Sequence, residues 1–127
     1  MYYDRLKARV RTANAAKRQQ REARSLIDNI DVKRHIAQVY FPLHDDLQKG
    51  AYSTYNLPGG RGSCKSSFAS LEIVNGIMAD RAGLSNGIVF RLVAGTMRDS
   101  VYSQIGWAID ALGVSHLWSG RVSPMSY

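Results

Sequence analysis

The chain has 127 residues, 45% of them hydrophobic and 21% charged. This suits one globular domain with a real core and excludes two of ordinary size. No apolar run approaches the ~20 residues of a membrane span, the charged N-terminus lacks the apolar stretch of a secretory signal, and one cysteine excludes an internal disulfide or a multi-cysteine metal site. A net charge of +7 favours polyanionic partners, nucleic acid first and an acidic membrane or protein surface second.

Residues 1–27 hold nearly all of that excess: Arg5, Lys7, Arg9, Arg11, Lys17, Arg18, Arg21 and Arg24 against Asp4 and Glu22. Residues 4–27 contain no Gly or Pro and are rich in helix formers, which predicts one helix. Its apolar positions (Leu6, Val10, Ala13, Ala16, Ala23, Leu26, Ile27) form only a thin stripe, so it is expected to pack weakly or to project. A basic arm for nucleic acid and a solvated surface helix both fit this pattern. The charge attracts phosphate but signals no base readout.

Asp28–Asp31 breaks the helix and is placed to cap the next element. Val32–Tyr40 suits either a short helix or an extended segment. Pro42 disfavours a helical Phe41 and marks a boundary. Leu43–Gln48 is then expected as a short helix closed by Gly50. Ala51–Leu57 suits a strand, and Lys65–Asp80 is helical by the spacing of Phe68, Leu71, Val74 and Ile77 or Met78. A loop over Asp80–Asn86 precedes a predicted buried strand, Ile88–Val93. Gly95 and Thr96 lead into a second helix with Met97, Val101, Ile105, Ala108, Ile109 and Leu112 on one face, closed by Gly113. Val114–Trp118 is expected as a short strand and Arg121–Tyr127 as the start of another. The order implies a parallel α/β sheet with flanking helices.

Between the first strand and its helix stands PGGRGSCKSS, residues 58–67. A strand turning sharply into a helix aims backbone N–H groups at one spot, where the helix adds its partial positive charge. Gly59, Gly60 and Gly62 let the backbone wrap a phosphate, Lys65 can reach its oxygens, and the Ser66 hydroxyl can ligate Mg²⁺. The pattern is Gly, four residues, Gly, Lys, Ser or Thr, and Cys64 stands where its second glycine belongs. A Cβ and a sulfur at the point of closest phosphate approach are compatible with weakened, abolished or tolerated binding. The candidate nucleotide site is therefore Gly59, Gly60, Arg61, Gly62, Ser63, Cys64, Lys65, Ser66 and Ser67, with ATP and Mg²⁺ as expected cofactors.

Several ordered blocks between Tyr40 and Tyr127 carry a family resemblance: GGRGSCKSS, SLEIVNGIM, IVFRLV, TMRDSVYSQIGWAIDALGVSHLW and SPM. Together they resemble the N-terminal ATPase region of tailed-phage terminase large subunits, whose usual loop reads GGRGSGKS. The resemblance implies an ATP-driven motor that packages double-stranded viral DNA in the host bacterial cytoplasm. Its partners would be the terminase small subunit and the portal, with homo-oligomers only at full length and no membrane. Lys65 would carry over as the phosphate and catalytic residue, Ser66 as the Mg²⁺ residue and Arg61 as the arginine within the loop. Arg98 falls in the matching TMRDS block, where a salt bridge or a coupling role both fit.

Such ATPases also need an apolar strand ending in an Asp–Glu pair. None is present; Asp110 sits on the predicted second helix, and His35, His44 and His116 have no metal-ligand spacing. The expectation is thus a basic helical arm over 1–30 and a partial P-loop ATPase domain over 31–127. The chain would be a truncated large subunit that binds nucleotide, with hydrolysis by this chain alone not expected. The alternative is a non-catalytic DNA-binding or terminase-interacting protein derived from one.

Overall fold

The computed structural model describes residues 2–28, 30–80, 82–91, 98–122 and 125–127. It divides into two compact units, Met1–Ile30 and Asp31–Tyr127.

The first unit is a single helix, α1 (Tyr2–Asp28), spanning 27 residues. That is well beyond the ~12–15 residues below which an isolated helix is marginal. Residues 7–19 are exposed throughout, so the helix rests on propensity and on local pairs such as Arg18 with Glu22 at 2.8 Å.

The second unit opens with a 3₁₀ turn, Val32–Arg34, whose leading N–H groups are capped by Asp31: its carboxylate accepts the Lys33 N–H at 3.2 Å. A further 3₁₀ turn, Gln38–Tyr40, runs into α2 (Phe41–Lys49). Phe41 is helical here (φ −57, ψ −47), against the boundary expected from Pro42. Proline is tolerated in a first turn, where its missing N–H has no partner to lose. Gly50 ends the helix at φ 61; its N–H donates to the Leu47 carbonyl and that of Ala51 to the Asp46 carbonyl, both at 3.0 Å, the Schellman closure.

Residues 51–57 do not form the predicted strand. Their local bonding is to side chains: the Tyr52 N–H donates to the Tyr55 hydroxyl at 3.1 Å, which donates to the Asp46 carbonyl at 3.2 Å. After the glycine-rich loop comes α3 (Lys65–Ala79), which buries Phe68, Leu71 and Val74 at the predicted three-residue spacing. A π-helical turn, Arg98–Tyr102, leads into α4 (Ser103–Ala111). Ala108 and Ile109 of α4 and the following Val114 join the α3 residues and Val32 in the core.

A 3₁₀ turn, Ser115–Leu117, replaces the strand expected over 114–118. Two-residue strands β1 (Arg121–Val122) and β2 (Met125–Ser126) then pair antiparallel, Arg121 opposite Ser126 and Val122 opposite Met125. This is the only ladder among the described residues, so the expected parallel sheet is not formed by them. Residues 88–91 are irregular, with Ile88 75% and Phe90 87% exposed. The rest of that predicted strand, Leu92 and Val93, and the expected helix start at Gly95–Met97 lie outside the described residues. The physical reason for the missing sheet is that strand-favouring residues become a strand only against a neighbour that completes their ladder.

Candidate functional site: the glycine-rich loop at the start of α3

The loop is held from behind. The Tyr40 hydroxyl donates to the Ser63 carbonyl at 2.5 Å, and the Tyr40 ring stacks on Phe68 with centroids 4.6 Å apart and planes at 11°. Phe68 is among the most deeply buried side chains, so this stack ties the outer turn of the loop to the core. The loop borders a cavity of about 540 Å³ lined by residues 59–67 alone, which brings all nine sequence-predicted site residues to one place.

Lys65 closes the loop on itself. Its ammonium donates to the carbonyls of Gly59 (2.7 Å) and Gly60 (2.8 Å) and bonds the Ser63 hydroxyl (2.5 Å). Ser63 in turn donates to the Gly60 carbonyl at 2.8 Å. All three ammonium hydrogens thus have partners within the loop. Gly59, at φ 145, is where the lysine passes closest: a Cβ there would lie 3.2 Å from both Lys65 Nζ and Ser63 Oγ. Arg61 is exposed.

Cys64 is the one described non-glycine residue with positive φ (φ 58, ψ 15). This gives the glycine of the pattern a second meaning: the left-handed conformation costs a residue with a Cβ roughly 1–2 kcal/mol. The thiol is exposed and makes one weak contact, to the Gly62 carbonyl at 3.8 Å. Cys64 is also the N-cap of α3, and no side chain caps the helix. The first N–H groups of α3 therefore face the loop cavity with the positive end of the helix dipole behind them.

Ser66 is exposed and borders a second cavity of about 400 Å³ between α3 and α4, which Arg91 and Asp99 also line. The Ser67 hydroxyl accepts from Gln104 Nε2 at 3.5 Å, linking the loop end of α3 to α4. Arg98 opens the π turn, but its side chain lies outside the described residues. Asp110 accepts from the Ser115 hydroxyl, and His35 and His116 are exposed. Among the described residues no three His, Cys, Asp or Glu side chains come together as a metal site.

Two charged sites flank α3. On the α2 side, His44 Nδ1 and Glu72 share a 2.5 Å hydrogen bond, with side chains 12% and 9% exposed, and Gln48 donates to the other Glu72 oxygen at 3.3 Å. Burial raises the Glu72 pKa by more than its bonds to His44 and Gln48 lower it. At the far end, Asp80 accepts the N–H groups of Ala82, Leu84 and Ser85 at 2.6–2.9 Å. A hydrogen bond from the Ser85 side chain, followed by these backbone bonds, brings its pKa down to about 2. Neither site is visible in the sequence. His44 and Glu72 lie 28 positions apart with no motif joining them, and the Tyr40 clamp on Ser63 is likewise long-range.

The residues present fit an anionic phosphate group: a lysine at the mouth of the loop, a glycine surface, and an uncapped helix N-terminus. A family model described as phage terminase large subunit matches residues 53–127, more than half of the chain, so the chain belongs to that family. A curated relative, the terminase large subunit of Bacillus phage SPP1, is 39% identical over 71 residues. The match takes in 56% of this chain and 16% of the relative, so the chain spans a small part of that protein's length. No solved structure matches.

Proposed function

We propose that the loop Gly59–Ser67 binds ATP with Mg²⁺, as part of the ATPase region of a terminase large subunit. The observation that carries this is Lys65, drawn to the loop mouth by three neutral oxygens beside the uncapped start of α3. Phosphate oxygens would replace those partners with charge-assisted bonds about twice as strong. Gly59, Gly60 and Gly62 would admit the phosphates, Ser63 and Ser67 would support the loop, and Arg61 would face the ligand from the loop tip. Ser66 would hold Mg²⁺ together with the phosphates. Mg²⁺ would neutralise phosphate charge when bound; this chain's residues bind and orient the nucleotide. Catalysis by Lys65 belongs to the assembled motor.

In this reading residues 31–127 are part of a P-loop domain whose parallel sheet needs further strands. The open apolar surface around Ile88–Phe90 supports that. The proposed setting is the host bacterial cytoplasm, with double-stranded DNA, the small subunit and the portal as partners and a homo-oligomer at full length. Among the described residues no helix is long and apolar enough to cross a membrane.

A second reading, a non-catalytic DNA-binding or terminase-docking protein, is favoured by the exposed basic helix α1. Isothermal titration with Mg-ATP separates the two. The expected result is weak binding that Lys65→Ala removes and Cys64→Gly tightens. Silence from the wild type and Cys64→Gly alike would sink the nucleotide reading.

A further inference from the structure

We infer that one face of α1 is a docking stripe for the phosphate backbone of duplex nucleic acid. This rests on the proposal of double-stranded DNA as a partner and assigns the surface that holds it. Lys7, Arg11, Asn14, Arg18 and Arg21 recur at alternating steps of four and three, which places them along one side of the helix over roughly 21 Å. All five are exposed, and Asn14, Arg18 and Arg21 with the neighbouring Lys17 border one surface concavity of about 370 Å³. The same spacing puts Asp4 and Asp28 at the two ends of the stripe; beside it Glu22 pairs with Arg18 at 2.8 Å, with the two side chains 60% and 83% exposed. Such a pair is weak and readily exchanged for a phosphate.

The chemistry selects among polyanions. Arginine outnumbers lysine on α1 by six to two, and its planar fork suits phosphate oxygens. A membrane-surface helix needs a broad apolar face with Trp, Phe or Leu opposite the charges; α1 instead places Thr12, Ala13, Ala16 and Gln19 there and nearby. Single strands are gripped by aromatic side chains that stack on bases. The aromatics of α1 are Tyr2 and Tyr3; only Tyr3, four residues before Lys7, falls on the stripe's side, at its very start, so no series of aromatics tracks the stripe. Duplex backbone, contacted without sequence preference, remains.

The test uses the full chain and a fluorescent random-sequence duplex, with affinity followed against salt. Four stripe cations predict a log–log slope of about −3.6, or a loss on the order of 100-fold between about 50 and 200 mM salt. The double variant Arg11→Gln/Arg18→Gln should flatten the slope by about 2, because each lost phosphate contact removes about 1. The matched variant Arg9→Gln/Arg24→Gln removes the same charge from positions about 100° or more from the stripe's midline and should flatten the slope far less. Glutamine is a good helix former, so α1 should persist, which circular dichroism checks. Equal flattening by both variants would overturn the stripe while leaving DNA as a partner. Absence of duplex binding would overturn both, and Mg-ATP titration of the same protein keeps the nucleotide proposal separately testable. Tighter binding to oligothymidylate, or binding only to phosphatidylserine-containing vesicles, would overturn the duplex assignment.

Discussion

The two sides of α3 differ in how complete they are. Toward α2, every feature closes on another: Tyr40 on Phe68 and Ser63, His44 on Glu72, Gln48 on Glu72. Toward α4 and the 85–91 segment, Ile73 borders two open cavities of about 460 and 400 Å³ and Ile77 the larger of them, and Val89 lies on the rim of both. The buried indole N–H of Trp118, on the larger cavity, has no hydrogen-bond partner among the described residues. The loop side is thus closed on itself, whereas the other side carries open apolar surface.

The largest expected effect comes from breaking what both sides share. Leu71 is fully buried, so Leu71→Ala should destabilise the second unit by about 2–5 kcal/mol in denaturant titration. Cys64→Gly acts on the loop side in the opposite direction. Relief of the left-handed strain should stabilise by about 1–2 kcal/mol, and no change in melting temperature would show that the backbone relaxes elsewhere.

A pH titration sharpens the same contrast. The folded pKa of Glu72 is raised, so its contribution to stability is fully present below its ordinary value and is lost as pH rises through the raised one. Asp80 is depressed to about 2, so its contribution is present above the ordinary carboxylate range and lost as pH falls toward 2. Glu72→Gln should therefore abolish a decline in stability on the alkaline side of the carboxylate range and leave the acid limb intact. The smallest effect belongs to the open side. Phe90 is 87% exposed, and Phe90→Ser should change stability by no more than about 0.5 kcal/mol. A loss of several times that would mean that the 85–91 segment is packed in solution.

What is legible in the sequence divides along the same line. Helices α1, α2 and α3 are readable because propensity, the Gly50 closure and the spacing of Phe68, Leu71 and Val74 are local signals. The strands expected over 51–57 and 114–118 are not formed, because Tyr, Thr and Val favour a pleat only once a partner is in register. The loop can be named residue by residue from its pattern. The conformational reason for a glycine at position 64 cannot, since φ is a property of the folded turn. The packing that holds the loop in place, Tyr40 on Phe68 above all, joins residues too distant in sequence to be inferred from spacing.

The inward-folded Lys65 makes the loop its own competitor. Under the proposed nucleotide reading, an incoming anion would have to displace three intramolecular oxygens before it gained the ammonium, so its affinity would be the difference between two sets of bonds. The Ser63 hydroxyl, by holding the lysine, tunes that difference, and Ser63→Ala would lower the threshold for its release. The exposed thiol next door supplies a reporter. As the lysine swings from carbonyls to phosphate, the rate of Cys64 alkylation should change with anion concentration, giving a direct clock for loop opening.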